Sequence, residues 1–255
     1  VFFRELEHLA VKLHSEGYWL AFSGGKDSIV IKDLATRAGV KFRPVYNVTT
    51  IDPPELTRFI KREHPDVVWN MPPVPFFRCL AEKSNGPPTR IARWCCAKFK
   101  ERGGRGWARV IGVRAAESTR RRANWKMILA DRKSKGVYLC PILYWTDADV
   151  WEYIHGRNLS YCELYDQGFK RLGCVGCPLA GQKTQAAEFR RWPGLKRAWK
   201  RLFLSSGIAG MVFRRTWVPL GGLRILGLPM ACGNGGFPAS DRTAVAATAM
   251  TVRCR

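Results

Sequence analysis

The chain has 255 residues, 46% of them hydrophobic, and carries 43 basic against 20 acidic residues for a net charge of +23. That length buries one substantial core, or one core and a small satellite, and no apolar run approaches the roughly 18–20 residues a membrane span needs. The charge argues for a polyanionic partner, with nucleic acid (DNA or tRNA) favoured over an incidentally basic surface around a mononucleotide site, and no membrane partner is expected.

Residues 2–15 mix Glu5, Glu7 and His8 with apolar side chains, which predicts an amphipathic helix and not a signal peptide. The chain begins without Met, so a few upstream residues are expected to be missing, and the expected compartment is cytoplasmic. Tyr18–Phe22 is an apolar run that predicts the first strand. Directly after it come Ser23, Gly24, Gly25, Lys26, Asp27 and Ser28, followed by an apolar helical pattern from Ile29 to Ala38 that Gly39 ends. A strand turning on two glycines into a helix that opens near Ser28 is a phosphate cradle. Glycine lets backbone N–H groups converge, and the helix adds its unpaired donors and the positive end of its dipole. Lys26 reads as a mobile positive charge and Ser23 and Ser28 as hydroxyls for phosphate oxygens. Asp27 reads as the holder of a Mg2+ ion that bridges phosphates. The spacing is not that of a Walker loop.

Further along, Lys41–Tyr46 predicts a second strand, Pro53 and Pro54 open a helix running to Glu63, and Val67–Trp69 predicts a third strand. Residues 72–75 are an irregular Pro-rich connector, Phe76–Lys83 a short helix, Arg93–Glu101 a helical segment and Gly103–Gly106 a loop. Arg109–Val113 predicts a strand feeding Arg114, Glu117, Ser118 and Arg120, at the strand end where ligands of open α/β sheets bind. Arg114 and Arg120 would grip phosphate or sulfate oxygens, and Glu117 would orient Arg114, approach the ribose or form a surface ion pair. Val137–Ile142 predicts a strand, and Thr146 caps a helix whose early Asp147 and Asp149 favour its positive end. There Asp147 reads as a helix-start acid, and Trp145 and Trp151 as packing residues. Thr184–Leu204 is a long basic helix interrupted at Pro193. After Leu204 the pattern is lost, and residues 205–255 read as an atypical tail, disordered or frame-shifted, beside a domain over 1–204. Asp52 follows the second strand, within reach of metal or nucleotide. Trp94, Trp107, Trp125, Trp192 and Trp199 lie among the basic clusters, where aromatic planes suit stacking on unpaired bases, while tryptophans at helical spacing are more often core.

Nine cysteines in a chain with no secretory features point to metal or redox chemistry. Cys95 and Cys96 are adjacent, and Cys174 and Cys177 form a C-x-x-C knuckle with Gly176 at the tight turn. The adjacent pair can join the same site only if the backbone turns both inward, and a Cys₄ zinc site (Zn2+) is one reading. Cys79, Cys140, Cys162, Cys232 and Cys254 read as core or tail residues.

The Ser-Gly-Gly-Lys-Asp-Ser loop resembles that of the PP-loop ATP pyrophosphatases. Together with Asn47–Glu55 (NVTTIDPPE), Cys95-Cys96, Gly112–Arg120 (GVRAAESTR), Trp145–Trp151 (WTDADVW) and Cys174–Pro178 (CVGCP), the chain resembles the phosphoadenosine phosphosulfate (PAPS) reductase family of that superfamily. The resemblance runs in order from about Gly17 to about Phe203. It implies an α/β adenine-nucleotide α-hydrolase fold: an open, mostly parallel, twisted Rossmann-like sheet with helices on both faces. It also implies that Cys95, Cys96, Cys174 and Cys177 hold a [4Fe–4S] cluster. Two departures separate the chain from the reductases. Their loop is degenerate where this one is intact, and their tail cysteine precedes a His, whereas no His follows Ala231-Cys232-Gly233-Asn234. The resemblance therefore implies ATP cleavage to AMP and pyrophosphate for sulfur transfer. This is as in the DNA-phosphorothioation, tRNA-thiolation and phage-type branches, with a cysteine desulfurase as donor. Reduction of PAPS with a thioredoxin-type donor is the alternative, and a non-catalytic nucleic-acid-binding module the third reading. Lys26 and Asp27 are the expected catalytic residues.

Overall fold

The structure is a computed structural model and describes residues 2–82, 88–89, 92–131 and 135–205. Six strands form one sheet: β1 (Tyr18–Phe22), β2 (Phe42–Asn47), β3 (Val68–Asn70), β4 (Ala108–Val110), β5 (Ile128–Asp131) and β6 (Gly136–Leu139). Their order is β3-β2-β1-β4-β6-β5, parallel throughout except for the antiparallel β5 edge. The helices are α1 (Phe2–Leu13), α2 (Lys26–Ala38), α3 (Pro54–Glu63), α4 (Phe76–Ala81), α5 (Thr119–Asn124), α6 (Asp147–Gly156), α7 (Gln182–Arg191) and α8 (Pro193–Ser205). This is the mostly parallel, Rossmann-like architecture expected from the alternating pattern.

The topology decides where chemistry can occur. Tyr18 pairs with Phe42 on one side of β1 and with Ala108 on the other. The chain moves outward from β1 through β2 to β3, then returns to β4 on the opposite side. The order therefore reverses between β1 and β4, the position where ligands of open α/β sheets bind, and the loops leaving their carboxyl ends meet there. The strands are held by burial. Tyr18, Leu20 and Phe22 point into the core from β1, and Ile29, Val30, Ile31 and Ala35 cover them from α2. Gly39 ends α2 in the left-handed region at φ 68°, its N–H bonded to Thr36 O at 3.0 Å.

Several expected elements shift or gain neighbours. Helix α2 begins at Lys26, not near Ser28, with Gly25 extended before it. The helical segment at Arg93–Glu101 contains a π-turn over Cys96–Lys100, closed by Glu101 N–H to Cys96 O at 2.9 Å. Helix α5 and edge strand β5 had no periodic signal, since α5 buries no residue and β5 alternates only between exposed and half-buried. The pair α7 and α8 breaks at Pro193 as expected. The tail reading, with Cys232 and Cys254, lies outside the described residues.

Glu55 in α3 is buried because it accepts from Arg191 at 2.9 Å and from Trp192 Nε1 at 2.9 Å, which ties α3 to the end of α7. His64 closes α3, and Lys32 Nζ donates to its Nδ1 at 3.2 Å. Burial first, and then the Lys32 charge, push His64 down from 6.5 to about 4. The unfolded chain therefore binds more protons than the folded one between those values, and stability drops as pH falls through that window. Thermal denaturation of His64→Gln is expected to show a smaller loss between pH 6.5 and about 4 than the wild type. An identical loss in both would contradict this role.

Candidate functional site

The loops after β1 and β4 meet where the strand order predicts. Arg114 Nε donates to Asp27 Oδ1 at 2.6 Å, and its Nη2 donates to Asp147 Oδ1 at 2.9 Å. Lys26 Nζ reaches the same Asp147 oxygen at 3.1 Å. Lys26 and Arg114 are 5% and 4% exposed. Two nearly buried cations thus share two carboxylates, an arrangement that offsets the cost of removing each charge from water. Burial works to raise the Asp147 carboxyl. The hydrogen bonds and charges of Lys26 and Arg114 outweigh it and hold Asp147 below the ordinary carboxylate range.

The loop is internally braced. Ser28 Oγ donates to Gly25 O at 2.8 Å and receives Ser23 Oγ at 3.2 Å, so the two hydroxyls define the turn. Gly24 sits at φ 70°, and a Cβ there would lie 2.7 Å from Leu56 Cδ1, which is why a side chain is excluded. A Cβ on Gly112, just after β4, would meet Asp27 Cβ at 3.0 Å, so the second glycine lets the two loops close on each other. The backbone N–H of Lys26 donates to Tyr165 Oη at 2.9 Å.

The structure brings Lys26, Asp27 and Arg114 together as the sequence implied, with corrections. Lys26 is not mobile, since Asp147 and Tyr165 fix its two ends. Asp147 is more than a helix-start acid: it bridges Lys26 and Arg114, while Thr146 and Asp149 do the capping of α6. Glu117 accepts from the Arg114 N–H at 3.2 Å and pairs with Arg121. Ser118 caps α5 by accepting from Arg121 N–H at 3.2 Å, and Arg120 is exposed on α5, outside the cluster. Tyr165 was missed because a lone tyrosine in a turn carries no sequence signal.

Cys95, Cys96, Cys174 and Cys177 all line one cavity of about 470 Å³, together with Arg93, Lys100, Arg121 and Arg171. The π-turn starting at Cys96 is the local device that accompanies the inward placement of both adjacent cysteines. The knuckle is clamped from α7 and α8. Gly176 N–H donates to Glu188 at 2.7 Å, Gln185 Nε2 to Cys177 O at 2.8 Å, and Trp199 Nε1 to Val175 O at 3.1 Å. Gly176 sits at φ 72°, and a Cβ there would be 2.6 Å from Trp199 Nε1. Burial pushes the Cys174 thiol up to about 11, opposed by Lys100, whose own ammonium is stabilised chiefly by Cys174 and then Asp52. Asp52 also accepts from Thr49 N–H at 2.9 Å, so it braces this cavity and not the phosphate loop.

The donor chemistry fits a group held by four thiolates, with Lys100 and Arg93 as compensating charges. Among the described residues, no three His, Cys, Asp or Glu side chains already stand close enough to ligate one ion. Arg121 links the two sites: it lines the thiol cavity and lies within electrostatic reach of Asp27, Arg114, Arg93 and Arg171.

The tryptophans do not form a base-stacking platform. Trp107, Trp192 and Trp199 are buried, Trp94 stacks on Phe76, and Trp125 packs edge-on against Tyr138. Cys79, Cys140 and Cys162 are buried core residues, as expected. Among the described residues, no helix is long and apolar enough to cross a membrane.

A family model described as phosphoadenosine phosphosulfate reductase domain matches residues 17–180. An adenosine 5'-phosphosulfate reductase of Anoxybacillus flavithermus is 35% identical over 86 residues, which is 34% of this chain and 36% of that protein. An uncharacterized protein of Methanocaldococcus jannaschii is 30% identical over 197 residues, 70% of this chain and 46% of that protein. The match thus spans about a third of the length of the curated reductase. Among solved structures, the phosphoadenylyl-sulfate reductase of Candida auris, in a phosphate complex, shares the fold. It has a TM-score of 0.50 and 19% identity over 68% of this chain and 88% of that one.

Within the cavity the adjacent thiols differ. Cys96 accepts a hydrogen bond from Cys95 and another from Arg93, whose Nη2 is 3.5 Å from its sulfur. These outweigh burial and lower the Cys96 thiol, while Cys95 is pushed up. In metal-free protein, iodoacetamide is expected to label Cys96 before Cys95 at neutral pH. Equal labelling of the two, read by peptide mass spectrometry, would contradict this.

Proposed function

The chain belongs to the phosphoadenosine phosphosulfate reductase domain family. On that premise we propose that it binds an adenine nucleotide through Ser23–Ser28 and Arg114 and cleaves ATP to AMP and pyrophosphate. The carrying observation is the meeting of the loops after β1 and β4, where an intact glycine loop, a helix N-terminus, Lys26 and Arg114 converge. A polyphosphate is the ligand that uses all of these donors at once.

In this reading an acceptor oxygen attacks the α-phosphorus, the bond to the β-phosphate oxygen breaks, and pyrophosphate leaves. Lys26, the loop amides and Arg114 stabilise the charge that develops on the departing group. Asp27 would hold Mg2+, which when bound neutralises part of the phosphate charge. Its Oδ1 is engaged by Arg114, so a metal would share the carboxylate or displace that contact. A sulfur nucleophile would then displace AMP from the activated acceptor. Cys95, Cys96, Cys174 and Cys177 would hold a [4Fe–4S] cluster, which when bound would supply sulfur or electron chemistry, or zinc in its place, whose role would be structural. The net charge of +23 supports a nucleic acid as acceptor, and a cysteine desulfurase would be the sulfur donor.

A second reading is a sulfonucleotide reductase that forms sulfite with a thioredoxin-type donor. It is favoured by the name of the Anoxybacillus flavithermus relative. The same loops would then hold the phosphosulfate end of the nucleotide.

Replacing Lys26 by Ala is expected to cut pyrophosphate release from ATP by about 100-fold or more while the far-ultraviolet spectrum is retained. Full release in the variant would refute the role of Lys26. Sulfite release from PAPS, with no pyrophosphate from ATP, would establish the second reading.

A further inference from the structure

Asp147 stands in the first turn of α6, yet the capping hydrogen bonds of that helix belong to Thr146 and Asp149. Its own side-chain bonds go to Lys26 at 3.1 Å and Arg114 at 2.9 Å, both from Oδ1. The helix dipole favours an acid in this turn. A carboxylate facing solvent would satisfy the dipole equally well, so the dipole does not explain why Asp147 turns onto two buried cations. An oxygen carrying negative charge between an ammonium and a guanidinium has the coordination of a phosphate oxygen at the same point. Asp147 remains 65% exposed at its side chain, so rotation about its own bonds returns it to water without moving α6.

We propose that Asp147 is a displaceable counterion that competes with nucleotide phosphate for Lys26 and Arg114 and is released to solvent when phosphate binds. The proposal rests on the reading of the Ser23–Ser28 loop as a phosphate site, and holds for either nucleotide considered above. Asp147 keeps the two cations paired and in position, and it also sets a threshold that a ligand must exceed. A single weak anion exchanges one partner for another with little gain. A polyphosphate engages Lys26, Arg114 and the loop amides together and wins. Asp147 is therefore a positioning and selectivity residue, not a catalytic one. A purely structural ion pair would make its removal harmful to both stability and binding, whereas a displaceable one makes the two move in opposite directions.

The test uses the full chain, inorganic pyrophosphate without magnesium as probe, and calorimetric titration alongside thermal denaturation. Asp147→Asn is expected to melt lower than the wild type without ligand. It should also bind pyrophosphate about tenfold tighter, since the ligand no longer displaces a charge-assisted pair. Asp147→Ser should behave the same way. Glu152→Gln, which removes the same charge from an exposed position on α6, should leave affinity unchanged. Unchanged or weaker pyrophosphate binding in the Asp147 variants overturns the proposal, as does an equal gain in Glu152→Gln. Failure of both Asp147 variants to fold would make the ion pair obligatory, not displaceable, and also overturns it. If no protein, wild type included, binds pyrophosphate or ATP, the phosphate-site reading itself fails, a result distinct from a failed competition.

Discussion

Two buried cations at the crossing between β1 and β4 are the constraint from which the rest of this site follows. Lys26 and Arg114 are almost wholly removed from water, and leaving either charge unpaired there would cost several kcal/mol. The fold answers with two carboxylates from different elements. Asp27 comes from the loop that also carries Lys26, and Asp147 from the start of α6. The pairing draws the β1 loop, the β4 loop and α6 into one rigid corner. Gly112 is the small residue that permits the β1 and β4 loops so close an approach, while Gly24 gives the turn room beside Leu56 and Ile60 of α3. The corner is electrically balanced as it stands, so any anion entering it would compete for cations that already have partners.

The thiol cavity is built by a different principle. Its four cysteines come from a π-turn and a knuckle, neither of which holds itself in place. Glu188, Gln185 and Trp199, on α7 and α8, pin the knuckle by hydrogen bonds to its backbone, and Glu55 ties α7 back to α3. The basic helices that look from sequence like a nucleic-acid surface therefore act first as a clamp, with their tryptophans turned inward. Arg121 stands between the clamped cavity and the phosphate corner, and with Arg93 and Arg171 makes a cationic rim. A ligand spanning both regions would meet positive charge throughout.

Much of this was legible in the residues. Strand β1 was readable from Tyr18–Phe22, the glycine turn into α2 from two glycines between a strand and a helix, and the cap of α6 from Thr146. All are local signals in which neighbours in sequence are neighbours in space. The partners of the site were not legible. Lys26 finds Tyr165 139 residues away, and Arg114 finds Asp27 at a separation of 87. Only the strand order creates those meetings. Asp147 looked like an ordinary first-turn acid because the pattern that places it there is satisfied whichever way its side chain points. The tryptophans misled for a related reason: interleaving with Lys and Arg looks the same whether the rings face a base or the core. Strand β5 was invisible because an edge strand that stays half-exposed needs no alternation.

The most direct test of the account is a competitive binding titration of magnesium-ATP against PAPS on one anaerobically purified sample of the full chain, with iron and zinc measured alongside. The account predicts that magnesium-ATP binds in preference and that iron accompanies the four cysteines. Preferential binding of PAPS would contradict ATP cleavage as the activity of the β1 and β4 loops, and stoichiometric zinc without iron would remove redox chemistry from the thiol cavity.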